Sequence, residues 1–281
     1  MTFISYAQNM EDVMLYRALK NIHQGFYIDV GAGDPTIDSV AKAFYDMGWS
    51  GINIEPVEAY FRELQQKRPR DLNLNTLVGN FVGDLTFYEV IDTGLSTIKD
   101  AYANYHRSAG RLVKKRFAPC TTLDIICTEN NVHVIHFLKI DVEGAEKEVL
   151  EGFAFETIRP WIVVAEIHDQ TGYDVSTSWE YLLLEKHYKR VYYDGINYFY
   201  VALEHNDLAD SFKVPPNFFD EFIIWRHANY GAEPVRRKLE DLESKLQHIN
   251  DSLSWRMTAP LRKTWAVLIS LAFILLRRSR Q

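Results

Sequence analysis

The chain has 281 residues, 47% of them hydrophobic, and a formal net charge of −7 at pH 7. That length holds one large domain with an appendage or two small ones, and that hydrophobic fraction fills a globular core. The acidic balance argues against general nucleic-acid binding. The two cysteines, Cys120 and Cys127, fit neither a zinc spacing nor a secreted disulfide scaffold, so both read as buried thiols in a reducing compartment.

Ser5-Tyr-Ala-Gln-Asn-Met-Glu-Asp12 leads into a helix that Ser5 or Asn9 is placed to cap, with Arg17 and Lys20 near its end. The first residues lack the basic region and apolar core of a signal peptide, so the catalytic body is expected to be cytoplasmic. Strands are expected at 26–30, 51–55, 74–79 and 85–90, with helices near 38–47 and 58–67. A polar, Tyr-rich stretch from Asp92 to Arg116 is expected to be a long lid or substrate loop. Beyond it come a buried strand over His133–Asp141, a helix from Glu143 to Phe153, a buried strand over Trp161–His168 and a helix over Ser178–His187. Two alternating aromatic runs around Asp194-Gly195 form a hairpin signal. The order predicts an α/β protein with a mainly parallel sheet and a terminal antiparallel hairpin.

Pro234 marks a change of composition. Leu239, Leu242, Leu246, Ile249 and Leu253 repeat with heptad spacing, which fits a short coiled coil, within a homo-oligomer or with another protein, or a helix packed on its own body. The apolar run Trp265–Leu276 is too short to span a bilayer, which needs roughly 20 residues. Every charge after Arg256 is basic, namely Arg262, Lys263, Arg277, Arg278 and Arg280. An apolar helix with basic flanks fits the interface of an anionic membrane. The division expected is an N-terminal cap helix at 1–24, a catalytic domain at 25–230, a heptad helix at 231–253 and a basic, apolar tail at 254–281.

Three constellations carry the chemistry. Phe26–Asp34 is a strand that turns through Gly31 and Gly33, with acids at Asp29 and Asp34, and Glu55 closes the next strand. A dinucleotide fingerprint would need a third glycine, and these carboxylates would repel a pyrophosphate. S-adenosylmethionine, with a cationic amino-acid end, suits them better, with Glu55 accepting from its ribose hydroxyls. In Phe137–Glu146, alternation places Lys139 and Asp141 on one side of the sheet, and Glu143 and Glu146 crowd the turn that follows. Crowded carboxylates serve as bases or metal ligands. Glu166 and His168 alternate onto one side of the next strand. Asp141, Glu166 and His168 are therefore expected to converge, to hold a divalent cation or to take a proton directly.

These residues resemble the FkbM-type S-adenosylmethionine-dependent methyltransferases from about Ser5 to His168. The resemblance rests on Ser5–Asp12, Asp29–Asp34, Asn53–Pro56, Gly94–Thr97, Thr122–Asp124, Leu138–Glu146 and Glu166–His168. It implies a Rossmann-like class I methyltransferase sheet, cofactor contacts at Asp29, Gly31 and Glu55, and methylation of a sugar or polyketide oxygen. Lys139, Asp141 and His168 are the catalytic candidates. Ser254–Arg262 looks like the tail that ends many bacterial polysaccharide glycosyltransferases.

The expected function is O-methylation of a sugar, nucleotide-sugar or lipid-linked glycan in surface-polysaccharide synthesis, by an enzyme held at the inner face of the cell membrane. A nicotinamide-dependent sugar dehydrogenase or epimerase is the alternative enzyme. A non-catalytic adaptor recruiting glycosyltransferases is the alternative of another kind.

Overall fold

Three segments, 26–30, 137–140 and 162–166, are apolar at nearly every position because their sheet is covered on both faces. The computed structural model describes residues 2–168 and 174–226. In chain order the elements are β1 (Phe3–Ser5), α1 (Glu11–Leu19), β2 (Phe26–Val30), α2 (Lys42–Asp46), β3 (Ser50–Ile54), α3 (Glu58–Lys67), β4 (Leu72–Leu74), β5 (Leu77–Val78), β6 (Gly83–Val90) and α4 (Asp100–Ser108), followed by β7 (Val113–Thr121), α5 (Leu123–Glu129), β8 (Phe137–Ile140), α6 (Glu146–Glu151), β9 (Ile162–Glu166), α7 (Glu180–Glu185), β10 (Tyr188–Tyr193), β11 (Asn197–Ala202) and β12 (Phe222–Ile224). Met1–Trp225 form one compact unit. The expected heptad helix and basic tail lie outside the described residues.

The central sheet has seven strands in the order β10-β11-β9-β8-β2-β3-β4. β4, β3, β2, β8 and β9 run parallel, and β11 is antiparallel to both β9 and β10. The fold is thus Rossmann-like, mainly parallel with a reversed hairpin at one edge. Alternation divides the core. Ile28, Val30, Leu138, Ile140 and Val163 pack with Ile126 of α5, Val149 of α6 and Leu183 of α7 on one face. Tyr27, Phe137, Ile162 and Val164 pack with Met14 and Leu15 of α1 and Phe44 of α2 on the other. From β2 the chain builds outward to β3 and β4, then returns to β8 on the opposite side. That reversal leaves a crevice at the carboxyl ends of β2, β3 and β8, where open α/β sheets hold their ligands.

The aromatic hairpin forms as its turn residues dictate. Asp194 accepts from the N–H groups of Ile196 and Asn197, and Gly195 supplies the left-handed backbone (φ 102°). Both cysteines are buried and free, and burial pushes the Cys127 thiol up to about 12.

Three local expectations are corrected. Neither Ser5 nor Asn9 caps α1. Met10 stands at its N-terminus in a left-handed conformation, and Asp12 of the first turn reaches back to Ser5, Tyr6 and Ala7. The expected strand 74–79 is two strands in different sheets, because Asn75 turns the chain by donating to the carbonyls of Glu55 and Pro56. The expected loop from Asp92 to Arg116 contains α4 and the start of β7. Ala103 and His106 bury one face of α4, whereas β7 shows the run Lys114–Phe117 to solvent and so reads as a loop.

Candidate active site

Gly31 ends β2 at φ 78°, and a Cβ there would lie 1.8 Å from the Asp141 carbonyl oxygen, so only glycine lets β2 and β8 close at this point. The N–H groups of Gly31 and Ala32 donate to the Ile54 carbonyl at 3.0 and 3.2 Å. The turn is then clamped from β3. Glu55 accepts from the Gly33 N–H and from the Val57 N–H, each at 2.8 Å. Burial raises the Glu55 carboxyl to about 7, against the two N–H donors that favour its ionised form.

Around this turn lies a cavity of about 410 Å³, which falls within the range of small-molecule sites. Its two ends differ. Val57, Phe87, Tyr60, Leu77 and Ile98 belong to one apolar cluster and line one end. Gln8, Asp34, Asp38, Lys139, Asp141 and Glu143 also line it and are polar. Gly31, Gly33, Asp34 and Glu55, the residues read from the glycine turn, all line the cavity. Asp29 is not among its lining residues. It is 1% exposed, opposite Lys139 of β8 on the face that also carries Tyr27, and among the described residues neither of its oxygens has a hydrogen-bond partner. Burial raises its carboxyl, with Lys139 opposing.

Lys139 bridges two acids, with Nζ 2.9 Å from Asp141 Oδ2 and 3.8 Å from Asp29 Oδ1. Burial alone would lower the ammonium, but the two carboxylates outweigh it and hold it charged. Burial likewise disfavours an ionised Asp141. Lys139 and a hydrogen bond from Glu166 overcome this and hold Asp141 below the usual carboxylate range. Asp141, Glu143 and Glu166 bring one carboxylate oxygen each within 4.8 Å of one another. Burial and the neighbouring negative charge push Glu143 and Glu166 well above the usual range. Negative charges this close oppose one another's ionisation, so Glu143 and Glu166 hold their protons more tightly than Asp141 does.

Glu146 repeats the device of Glu55. It accepts from the N–H groups of Val142 and Gly144 at 3.3 and 3.1 Å, and its burial raises it to about 7. The turn it holds carries Glu143 at φ 53° and Gly144 at φ 94°. A Cβ on Gly144 would meet the Tyr102 ring at 2.3 Å, so this glycine seats α4 against the site. Thr97 completes the seating by donating to the Glu143 carbonyl at 2.8 Å.

The expected trio of Asp141, Glu166 and His168 is replaced by Asp141, Glu166 and Glu143. His168 is half-buried, forms a backbone bridge with Asp174, and its ring lies 6.5 Å from that of Tyr193. Ile167 donates to the Ile196 carbonyl, so the chain stays extended beyond β9. Two further residues of strand carry His168 about 6.6 Å past Glu166. Sequence reasoning missed Gln8, Asp38, Tyr60 and Phe87. Gln8, Tyr60 and Phe87 come from distant segments, and only the fold makes them neighbours of the glycine turn; Asp38 follows that turn closely in the chain.

A cavity at the switch point of such a sheet, with a glycine turn on one strand and a clamping acid on the next, is the arrangement of a Rossmann-like methyltransferase sheet with a small-molecule site at its carboxyl edge. The family model described as the Methyltransferase FkbM domain matches residues 29–194, more than half of the chain. The chain belongs to that family and is a methyltransferase. No curated protein matches it. Among the described residues, no helix is long and apolar enough to cross a membrane.

Proposed function

We propose that the protein moves a methyl group from S-adenosylmethionine to a hydroxyl oxygen of a sugar, in the synthesis of a surface polysaccharide or glycolipid. The observation that carries this reading is Asp141, paired with Lys139 at 2.9 Å, lining a cavity that an apolar cluster and a glycine turn also line. The cofactor supplies a methyl group on a cationic sulfur, ready for in-line displacement. The apolar cluster of Val57, Tyr60, Leu77 and Phe87 suits a nucleobase. Glu55 fixes the turn and keeps lone pairs for ribose hydroxyls. Acids on the polar side suit an amino-acid ammonium.

Asp141 orients the acceptor hydroxyl and takes its proton as the new C–O bond forms. A hydroxyl oxygen becomes strongly acidic only as it is alkylated, so even a weakly basic carboxylate serves late in the transfer. Lys139 acts through Asp141 and is a positioning residue. The oxygens of Asp141, Glu143 and Glu166 also favour a second mode, in which a divalent cation replaces the shared protons and acidifies the hydroxyl. His168 stands outside that group and remains a base candidate only for an acceptor that reaches the β9–β11 edge. Lys114 and Lys115, both exposed on β7, favour an acceptor carrying phosphate, such as a nucleotide-sugar or a lipid-linked glycan.

The test is calorimetric titration of the full chain. One molar equivalent of S-adenosylmethionine should bind at micromolar concentration, and chelation should separate the two modes of proton removal. Binding of NAD in its place would overturn the reading in favour of an oxidoreductase. The peripheral membrane location rests on the sequence of 254–281. A chain lacking those residues should no longer sediment with anionic vesicles, and unchanged sedimentation would defeat that part.

A further inference from the structure

The segment Ser5–Asp12, beside the cavity, is pinned at several points. Asp12, fully buried, accepts from the Ser5 hydroxyl at 2.6 Å, the Tyr6 N–H at 2.7 Å and the Ala7 N–H at 3.2 Å. Glu11 accepts from the Asn9 N–H at 2.8 Å and from the Asn197 side chain at 3.0 Å. The Asn9 side chain donates to the Asp194 carbonyl at 2.7 Å. Ala7 forms a backbone bridge with Asp38, and Tyr6 packs on Trp225. Met10 packs with Phe3 and Val13. Buried carboxylates that fasten a turn on both sides hold whatever lies at its centre in one place.

What lies at its centre is Gln8. It is exposed, it lines the cavity, and among the described residues its amide has no hydrogen-bond partner. The neighbouring side chains of the segment serve the scaffold, and this one is left for a ligand.

The chemistry of its surroundings says which part of a ligand. The bridge between Ala7 and Asp38 sets Gln8 close to Asp38, and Asp34, Asp141 and Glu143 line the same cavity. An amino-acid ammonium finds carboxylates there, but an amino-acid carboxylate finds few donors. Lys139 is the cation among the lining residues, and it is already shared by Asp29 and Asp141. The Gly33 N–H is taken by Glu55, and the Thr97 hydroxyl by the Glu143 carbonyl. A neutral amide can donate to a carboxylate in this acidic region without neutralising Asp141.

We propose that Gln8 holds the carboxylate of the cofactor's amino-acid end by donating from its side-chain amide. The inference rests on S-adenosylmethionine being the ligand of this cavity. It assigns to the pinned N-terminal segment the task of orienting the methyl donor from its non-nucleoside end.

The test is titration of wild-type, Gln8→Ala and Gln8→Glu full-length chains with two probes. One is S-adenosylmethionine. The other is 5′-methylthioadenosine, which keeps the nucleoside and thioether and lacks the amino-acid end. Loss of one hydrogen bond to a charged group should weaken S-adenosylmethionine binding to Gln8→Ala by ~10-fold or more, with methylthioadenosine unchanged. Gln8→Glu should weaken it further by placing a carboxylate against a carboxylate. Among the described residues Gln8 makes no hydrogen bond, so each variant should melt within about a degree of wild type. Equal weakening of both probes, or no change in either, overturns the assignment. A wild-type chain that binds neither probe refutes the cofactor reading itself, a separate outcome from failure at Gln8.

Discussion

Glu55→Ala tests the clamp on the glycine turn through the sign of a pH effect. The substitution removes the acceptor of two N–H bonds, from Gly33 and Val57, both at 2.8 Å. An orphaned buried donor costs on the order of 1–3 kcal/mol, and the adjoining cavity admits water that recovers part of it, so the loss is about 2–4 kcal/mol in total. Against a total stability of about 5–15 kcal/mol this is readily measured by urea unfolding. The wild-type carboxyl is raised from its ordinary 4.5 to about 7 by burial. The folded state therefore holds this proton more tightly than the unfolded state does. Its contribution is fully present below pH 4.5 and is lost as pH rises through about 7. Between pH 5 and pH 8 the wild type should lose roughly 2–3 kcal/mol from this one group, at 1.36 kcal/mol per unit. The variant has no such group, so the penalty of Glu55→Ala should be larger at pH 5 than at pH 8 by about that amount. A penalty that grows from pH 5 to pH 8 would show that the two N–H donors outweigh burial. The carboxylate would then be ionised throughout, and the reasoning about its environment would be wrong.

Two further substitutions test the geometry of the site. Gly31→Ala puts a methyl 1.8 Å from the Asp141 carbonyl oxygen on a backbone at φ 78°. It should cost more than about 2 kcal/mol and abolish cofactor binding, whereas a chain that melts and binds like wild type would mean that β2 and β8 are not held this close. Asp141→Asn should cut the rate of methyl transfer by about 10²-fold or more, with the cofactor dissociation constant changed less than about threefold; full turnover would remove Asp141 from the reaction.

The fold was legible where pattern and periodicity are strong. The strands ending in Val30, Ile54 and Ile140 and the Asp194-Gly195 hairpin are written as apolar runs and a turn dipeptide. α4 was not legible, because its buried face is only Ala103 and His106 with Tyr102 on Gly144, too small an apolar stripe to announce a helix. The start of β7 was hidden by its charged, solvent-facing residues. Within the site, local alternation correctly joined Lys139 to Asp141, since both lie on one strand and the turn after it. The same alternation failed for His168, because it gives a side of the sheet and says nothing of how far along the strand a neighbour has already ended.

The sequence by itself determined the strand-and-glycine grammar of a Rossmann-like sheet, from Asp29 to Asp34 and on to Glu55. Chain order and side-chain period set those features, and both are local. The tertiary structure decided which acids meet. It set Asp29 opposite Lys139, made Glu55 and Glu146 into clamps, and brought one carboxylate oxygen each of Asp141, Glu143 and Glu166 within 4.8 Å of one another. It also set Gln8 beside a glycine turn more than twenty residues away. Distances between elements and the loss of water around them fix protonation and pairing, and neither quantity exists until the sheet has closed.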